Sequence, residues 1–143
     1  MEIKKISAIL DTNWYVSATI NKNSRRVLYK LLINKNLTIL FSDEILREYM
    51  QVIARDKFKK IIKTKQVTRF MNLVMSKIKI IELKTNLEGS RDPKDNFLLS
   101  LSFDSNADYL ITGDSDLLVL QTTGLTKIVT LRDFLEIISE KTP

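Results

Sequence analysis

The sequence predicts an α/β fold with a mainly parallel sheet between layers of helices. Short apolar runs alternate along the chain with segments of helical periodicity, which is the pattern of α/β proteins with parallel sheets. The first run, Ile6–Leu10, is almost wholly apolar, as is typical of a strand covered on both faces. A chain of 143 residues that is 44% hydrophobic can form one full core, so we expect a single domain over residues 1–143.

Five strands and six helices are predicted, in alternation. The strands are the apolar runs Ile6–Leu10, Leu37–Phe41, Lys79–Leu83, Tyr109–Thr112 and Lys127–Thr130. Helices are predicted where apolar residues recur at helical spacing or a capping side chain begins the segment. They cover Ser24–Asn34, Asp43–Ala54, Thr64–Met75, Asp92–Ser105, Asp116–Leu120 and Thr130–Ser139.

The predicted helix from Asp43 carries an acid that could reach an internal pocket. Ser42 is a good N-cap, and Asp43 and Glu44 lie in the first turn, where acids complement the positive end of a helix. Glu48 lies at the border of the apolar stripe, roughly 90° from its centre. Glu44 lies further round, at roughly 130°, and is explained by the helix N-terminus. Glu48 is therefore the better candidate for a pocket, with a solvated position as the alternative.

Two more acids begin the helix predicted from residue 92. Asp92 fits the N-cap, Pro93 fits the first helical position and Asp95 lies at position N3. Asp92 therefore has an adequate structural role, whereas Asp95 could support the cap or belong to a site. The helix is apolar around much of its circumference, so we expect its N-terminus to lie close to the sheet.

Strand ends supply the remaining acids. Asp11 follows the first predicted strand, and Asp114 and Asp116 follow Tyr109–Thr112 after a glycine turn. Ligand sites in open α/β sheets lie outside the carboxyl ends of the strands. The structural alternatives are that Asp11 belongs to a simple turn, and that Asp114 caps the next helix with Asp116 in its first turn.

The residue types present limit the chemistry. The chain has no cysteine and no histidine, which excludes disulfides, thiol chemistry, histidine general bases and nearly all zinc sites. Clustered carboxylates repel one another unless a cation neutralises them, and oxygen-only ligands favour Mg²⁺ or Mn²⁺. Acids gathered from these segments would therefore suit metal-assisted hydrolysis of a phosphodiester bond.

The charge balance favours a polyanionic partner, because the net charge is +6 and the pI is near 9.5. A nearly one-signed run from Arg55 to Lys65 could contact nucleic-acid phosphates or simply keep the surface solvated. The residues predicted to make such contacts are Arg55, Lys57, Lys59, Lys60 and Lys63. No signal-peptide segment is evident, and no run approaches the roughly 18 apolar residues of a membrane helix. We therefore expect a cytoplasmic protein without membrane association.

Four segments carry a resemblance to a known family. They are Ile-Leu-Asp11-Thr-Asn13, Ser42 to Glu48, Arg91-Asp-Pro-Lys-Asp95-Asn96 and Ala107 to Leu118. Each is a modest motif alone, but the ordered set is specific and covers nearly the whole chain. In this order the segments resemble the motifs of PIN-domain proteins, and most closely the branch similar to VapC, the toxins of toxin–antitoxin systems.

The resemblance implies an α/β/α sandwich and a ribonuclease that depends on Mg²⁺ or Mn²⁺. Its acidic site would comprise Asp11, Glu48, Asp95, Asp114 and Asp116. Asp11, Asp95 and Asp114 or Asp116 would hold the metal. Glu48 would bind it directly or through water, and Thr112 would support the ligands without touching the ion. Toxins of this family usually dimerise and pair with an antitoxin encoded next door, so the implied partners are RNA, a cognate antitoxin and a second copy of the chain.

Two functions other than a ribonuclease are also compatible with the sequence. The first is a non-catalytic module that binds RNA or a protein partner with the same fold, for which RNA binding would not depend on Mg²⁺. The second is a phosphotransfer or phosphatase-like domain. It ranks last because Asp11-Thr-Asn13 lacks the second aspartate, two residues on, that one common phosphatase group uses.

Overall fold

A computed structural model describes residues 5–86 and 95–141. Its strands are β1 (Ile6–Leu10), β2 (Leu37–Phe41), β3 (Lys79–Ile80), β4 (Tyr109–Ile111), β5 (Thr122–Thr123) and β6 (Thr126–Val129). They form a six-stranded sheet in the order β3-β2-β1-β4-β6-β5. Every neighbouring pair is parallel except β5 and β6, so the predicted α/β class and mainly parallel sheet are confirmed.

Helices connect the strands. Within the described ranges they are α1 (Thr12–Ile20), α2 (Lys22–Leu32), α3 (Asp43–Ile53), α4 (Asp56–Lys59), α5 (Thr64–Met75), α6 (Asn96–Ser105), α7 (Ser115–Leu118) and α8 (Leu131–Lys141). The first of them, α1, packs against α2, α3 and α5. None of the helices in this part of the chain is both long enough and apolar enough to cross a bilayer.

The centre of the sheet is apolar and aligns two strand ends. Ile9 in β1 and Leu110 in β4 are fully buried, as expected for strands covered on both faces. The parallel register sets Leu10 beside Ile111, and each of these residues is the last of its strand. The residues that follow β1 and β4 therefore leave the sheet side by side, at what we call the carboxyl edge.

The helix α1 was not predicted, because hydrophobicity does not mark its buried face. Thr12 and Thr19 are fully buried, whereas Ile20 is 38% exposed. The Thr19 hydroxyl is bonded twice, donating to the carbonyl of Tyr15 and lying 2.6 Å from the Tyr49 hydroxyl of α3. Hydrogen bonding thus buries residues that an apolar pattern cannot identify.

Most boundaries differ from those predicted by one or two residues, and a few differ by more. The strand β3 ends at Ile80 rather than Leu83, and the short elements α4 and β5, of four and two residues, were not predicted. Asp92 and Pro93, predicted as N-cap and first helical residue, lie outside the described residues. The helix α6 begins at Asn96, so Asp95 holds the N-cap position instead of N3.

Candidate active site

Thr112 joins the two strand-end aspartates into one hydrogen-bonded unit. Its Oγ1 atom donates to Oδ2 of Asp11 at 2.7 Å and accepts from the backbone N–H of Asp114 at 3.0 Å. The Asp11 N–H in turn donates to the carbonyl of Ile111 at 3.0 Å. Thr112 is fully buried, so this hydroxyl fixes both acids from inside the sheet.

Asp11 is a buried carboxylate, and its burial makes the ionised form energetically unfavourable. Its exposed fraction is 5%, and desolvation raises the pKa of the carboxyl above its ordinary value. Hydrogen bonds from Thr112 and from the Asn13 N–H oppose that rise, and the negative charge of Asp114 adds to it. A cation at this position would relieve both the burial and the repulsion.

Asp114 both caps a helix and lines a cleft with other acids. Its Oδ1 accepts from the Asp116 N–H at 2.9 Å and so caps α7, as the structural alternative predicted. A hydrogen bond from the Asp95 side chain is the main reason that the pKa of Asp114 is lowered. The start of α6 and the turn after β4 therefore bring two carboxyls close together.

A cleft of about 490 Å³ opens at this edge and collects charge from three elements. Four acids line it, namely Glu44, Glu48, Asp95 and Asp114. Arg47 and Arg55 contribute positive charge to the same cleft. We call it the acidic cleft. It combines carboxylates that could hold a cation with guanidinium groups that could hold a phosphate.

The predicted acids occupy three different positions. Glu48, Asp95 and Asp114 line the acidic cleft. Asp11 lies behind the cleft and is tied to it through Thr112. Asp116 supplies its N–H to Asp114, but its side chain is not part of the cleft lining in the described chain.

Glu44 lies in the first turn of α3 as predicted, but it also lies at the cleft. Glu44 lines the acidic cleft beside Glu48, and its Oε2 atom is buried without a hydrogen-bond partner among residues 5–86 and 95–141. The two glutamates are one turn apart on α3, so the same face presents both. The cleft therefore extends along α3 from Glu44 to the border of the apolar stripe, where Glu48 and Val52 also line it.

Sequence reasoning also missed Arg47 as a site residue. Glu44, Arg47, Glu48, Gln51 and Arg55 line the cleft together. Glu44, Arg47, Glu48 and Gln51 form a polar stripe at helical spacing on α3, beside the apolar one rather than opposite it. Since a solvated face has the same pattern, only the packing of α3 shows that this stripe faces a cleft.

The residues of the predicted RNA-binding run do not form one surface. Arg55 lines the acidic cleft, whereas Lys63 lines a separate groove. Lys57 lies over the Phe58 ring at 4.9 Å from its centroid. Lys59 forms an exposed ion pair with Asp56 at 3.5 Å, and Lys60 is exposed.

The donor set fits a hard divalent cation by chemistry. All candidate ligands are carboxylate oxygens, which suit Mg²⁺ and Mn²⁺, and Asp11 among them is deeply buried. Among the described residues, no group of three or more acids is already arranged to hold an ion.

Fold and sequence together define the class of protein. A family model described as PIN domain matches residues 7–116, which span β1 to the first turn of α7. The chain therefore belongs to the PIN-domain family, as the resemblance of its four segments implied.

Relatives support this assignment. The chain is 30% identical over 123 residues to the uncharacterized protein MJ1680 of Methanocaldococcus jannaschii, covering 85% of this chain and 79% of that one. It is similar to the crystal structure of VapBC2 from Rickettsia felis bound to a DNA fragment from their promoter, with 21% identity, a TM-score of 0.58 and coverage of 86% and 97%. The crystal structure of PAE2754 from Pyrobaculum aerophilum is 14% identical, with a TM-score of 0.60 and coverage of 97% and 99%. At these identities the two structures support the shared fold alone.

Proposed function

We propose that the protein is an endoribonuclease that depends on Mg²⁺ or Mn²⁺ and hydrolyses RNA at the acidic cleft. The observation that carries the proposal is the convergence of acids from separate segments on one cleft, with Asp11 buried behind it. Membership of the PIN-domain family supports the same reaction class.

The residues have distinct roles in this proposal. Asp11, Asp95 and Asp114 would hold the ion, with Asp116 as a further ligand and Glu48 bound directly or through water. When bound, the cation would polarise the phosphate, lower the pKa of a water and stabilise the leaving oxygen. Thr112 would keep the Asp11 and Asp114 carboxylates aligned, because its hydroxyl is bonded to both residues.

Arg47 and Arg55 would position the RNA rather than react with it. Both line the acidic cleft, and a guanidinium can bind a phosphate through two parallel hydrogen bonds. Placing positive charge beside the acids also lets a polyanion approach a cleft that would otherwise repel it. The scissile phosphate would therefore lie between the arginines and the carboxylates.

The same family resemblance supports a role as the toxin of a toxin–antitoxin pair. The VapBC2 structure from Rickettsia felis is bound to promoter DNA, and this chain shares its fold. We accordingly include a cognate antitoxin and a second copy of the chain among the proposed partners.

Cleavage of RNA by matched aspartate variants tests the proposal. Asp114→Asn removes a charge from the acidic cleft but can still cap α7, whereas Asp133→Asn changes an exposed acid in the first turn of α8. We expect Asp114→Asn to lose at least about 100-fold in kcat, Asp133→Asn to match wild type, and EDTA to abolish wild-type cleavage. Full cleavage by Asp114→Asn would overturn the proposal. RNA binding that is indifferent to Mg²⁺, with no cleavage, would favour the non-catalytic module.

A further inference from the structure

A second charged groove lies between α2 and α5. Four cations line it, Arg25, Lys63, Lys65 and Arg69, around a volume of about 500 Å³. Phe70 and Leu73 also line it, and Phe70 is 6% exposed. We call this site the basic groove. Its positive rim and apolar lining differ from the acidic cleft, with which it shares no lining residue.

Among the residues that the structure describes, no acid balances the positive charge of the basic groove. Neither α2 nor α5 contains an aspartate or glutamate. In the part of the chain that the structure describes, the ion pair between Lys59 and Asp56 involves none of the four groove cations, and no carboxylate pairs with them. Like charges gathered without partners repel one another, so their clustering costs stability.

The helix dipoles do not favour the clustering of cations at the basic groove. Lys63 is the N-cap of α5, Lys65 lies in its first turn, and Arg25 lies near the start of α2. Cations at the positive end of a helix are unfavourable. By contrast, Lys35 and Lys77 follow the C-terminal ends of α2 and α5, where cations are favoured.

Arg25 is held in a fixed orientation. Its Nε donates to the carbonyl of Ala18 at 2.8 Å and its Nη2 to that of Thr19 at 2.9 Å. Gln66 of α5 donates to the same Thr19 carbonyl at 2.7 Å, which ties both walls of the groove to α1. Since a guanidinium has five N–H donors, Arg25 keeps donors for a ligand while its position is set in advance.

We propose that the basic groove binds the phosphate backbone of a single RNA strand outside the acidic cleft, so that the substrate is a strand long enough to occupy both sites. That the strand is RNA rests on the proposed function. Arg55 lines the acidic cleft and Lys63 lines the basic groove only eight residues later, so α4 and its flanks connect the two sites. No exposed ring among the groove residues offers a base a stacking surface, so contact through phosphates is independent of sequence.

Charge reversal tests the groove against a matched surface. Lys65→Glu with Arg69→Glu changes two exposed cations of the groove, and Lys35→Glu with Lys77→Glu makes the same charge change at exposed lysines elsewhere. Fluorescence anisotropy would measure Kd for a labelled RNA of about 20 nucleotides in EDTA at several salt concentrations. We expect the groove pair to raise Kd about tenfold and to reduce the salt slope by about 1.4, which is two phosphate contacts at 0.7 each.

The control pair should change Kd less than about threefold and leave the salt slope unchanged. Equal losses in both pairs would mean that only net charge matters and would overturn the proposal. Lys65→Gln with Arg69→Gln repeats the test without new acids if the reversed pair does not fold, with a smaller loss expected. No loss in that neutral pair would also overturn the proposal.

Two further ligands identify the chemistry that the groove recognises. Single-stranded DNA of the same sequence should show the same loss in the groove pair, because its phosphates are equivalent; a loss confined to RNA would overturn phosphate recognition. Polyglutamate should displace RNA only at a much higher concentration of charge. Displacement at equal concentration would assign the groove to an acidic protein segment instead.

Cleavage distinguishes failure of this inference from failure of the proposed function. If the wild-type protein cleaves RNA, the groove pair should raise KM for the long RNA about tenfold. KM for a four-nucleotide substrate should stay unchanged. If wild type cleaves neither RNA, the proposed function fails, and the anisotropy measurements alone decide whether the groove binds phosphate.

Discussion

The two edges of the central sheet carry opposite charge. Acids line the cleft at the carboxyl edge. At the other edge, where the parallel strands begin, a cleft of about 380 Å³ is lined by Lys5, Lys35, Lys77 and Lys79. Much of this contrast follows from helix direction, because α3 and α7 begin at the carboxyl edge and α2 and α5 end at the amino edge. Acids complement the first kind of helix end and cations the second.

Burial distinguishes the two edges in a way that helix dipoles do not explain. The four lysines at the amino edge are exposed, as charges that only complement a dipole should be. Asp11 is 5% exposed and Glu44 has a buried, unpartnered oxygen within the described residues. Buried carboxylates cost stability unless something neutralises them, so burial and convergence support the carboxyl edge as the candidate site.

Aspartates near the two ends of β4 should give different results when their charge is removed. Asp11→Asn, beside the carboxyl end, removes a buried anion and keeps the oxygen that caps α1, but replaces the Oδ2 atom that accepts from Thr112 by an NH2 group. We expect cleavage to fall at least about 100-fold, and Tm in EDTA to change by less than about 3 °C, because relief of the buried charge offsets the lost hydrogen bond. Activity assays and thermal melting measure the two effects.

Asp108→Asn is the matched change before the first residue of β4. The Asp108 Oδ2 accepts from the N–H and the hydroxyl of Ser7, at 2.9 and 3.3 Å. A neutral amide oxygen accepts these bonds less strongly, so Tm should fall by about 3 °C with cleavage unchanged. Equal losses of Tm in both variants would show that Asp11 is a structural acid.

Buried threonines at the two edges provide the next comparison. Thr112 bridges Asp11 and Asp114, whereas Thr126 donates to the carbonyl of Ala107 at 2.6 Å. Thr112→Val and Thr126→Val should each cost about 1–2 kcal/mol of unfolding free energy. Only Thr112→Val should also lose about 10- to 100-fold in activity, and Thr112→Ser should restore it. Activity that tracks Tm alone in both variants would remove the proposed supporting role of Thr112.

The smallest predicted effect concerns Asp104, an acid in the last turn of α6. Hydrogen bonds from the Thr85 hydroxyl and from the Lys84 and Thr85 N–H groups lower the pKa of Asp104. Because the folded pKa lies below the unfolded one, these bonds stabilise the protein above about pH 4 and lose effect as the pH falls. Asp104→Asn should lower Tm by about 1–2 °C at pH 6 and by progressively less towards pH 3. A constant difference across that range would exclude the titration.

Strand ends made much of the carboxyl edge predictable from sequence. Asp11 and Asp114 follow apolar runs, and parallel strands end at one edge, so their proximity could be inferred without coordinates. Thr112 was predicted to support the acids, and its hydroxyl contacts the Asp11 carboxylate and the backbone N–H of Asp114. Glu44 could not be assigned in the same way, because its position depends on how α3 packs.

The basic groove was not predicted, because its cations come from segments that are distant in the sequence. Arg25 and Arg69 meet at the basic groove, but they lie on helices that no local pattern connects. Lys63 was predicted as part of a continuous run, whereas the structure separates it from Arg55 into another site. Periodicity describes one element at a time, and a surface shared by two helices requires their packing.

Binding of a divalent ion tests the central claim most directly, since a cation that binds only the folded state must raise Tm. Melting would compare EDTA with millimolar Mg²⁺ or Mn²⁺ for wild type, Asp114→Asn and Asp133→Asn. An ion at ten times its Kd would add about 1.4 kcal/mol, or about 4–5 °C, to wild type and to Asp133→Asn, and at most a small part of that to Asp114→Asn. An equal shift in all three proteins, or no shift in wild type, would contradict a cation site at the carboxyl edge.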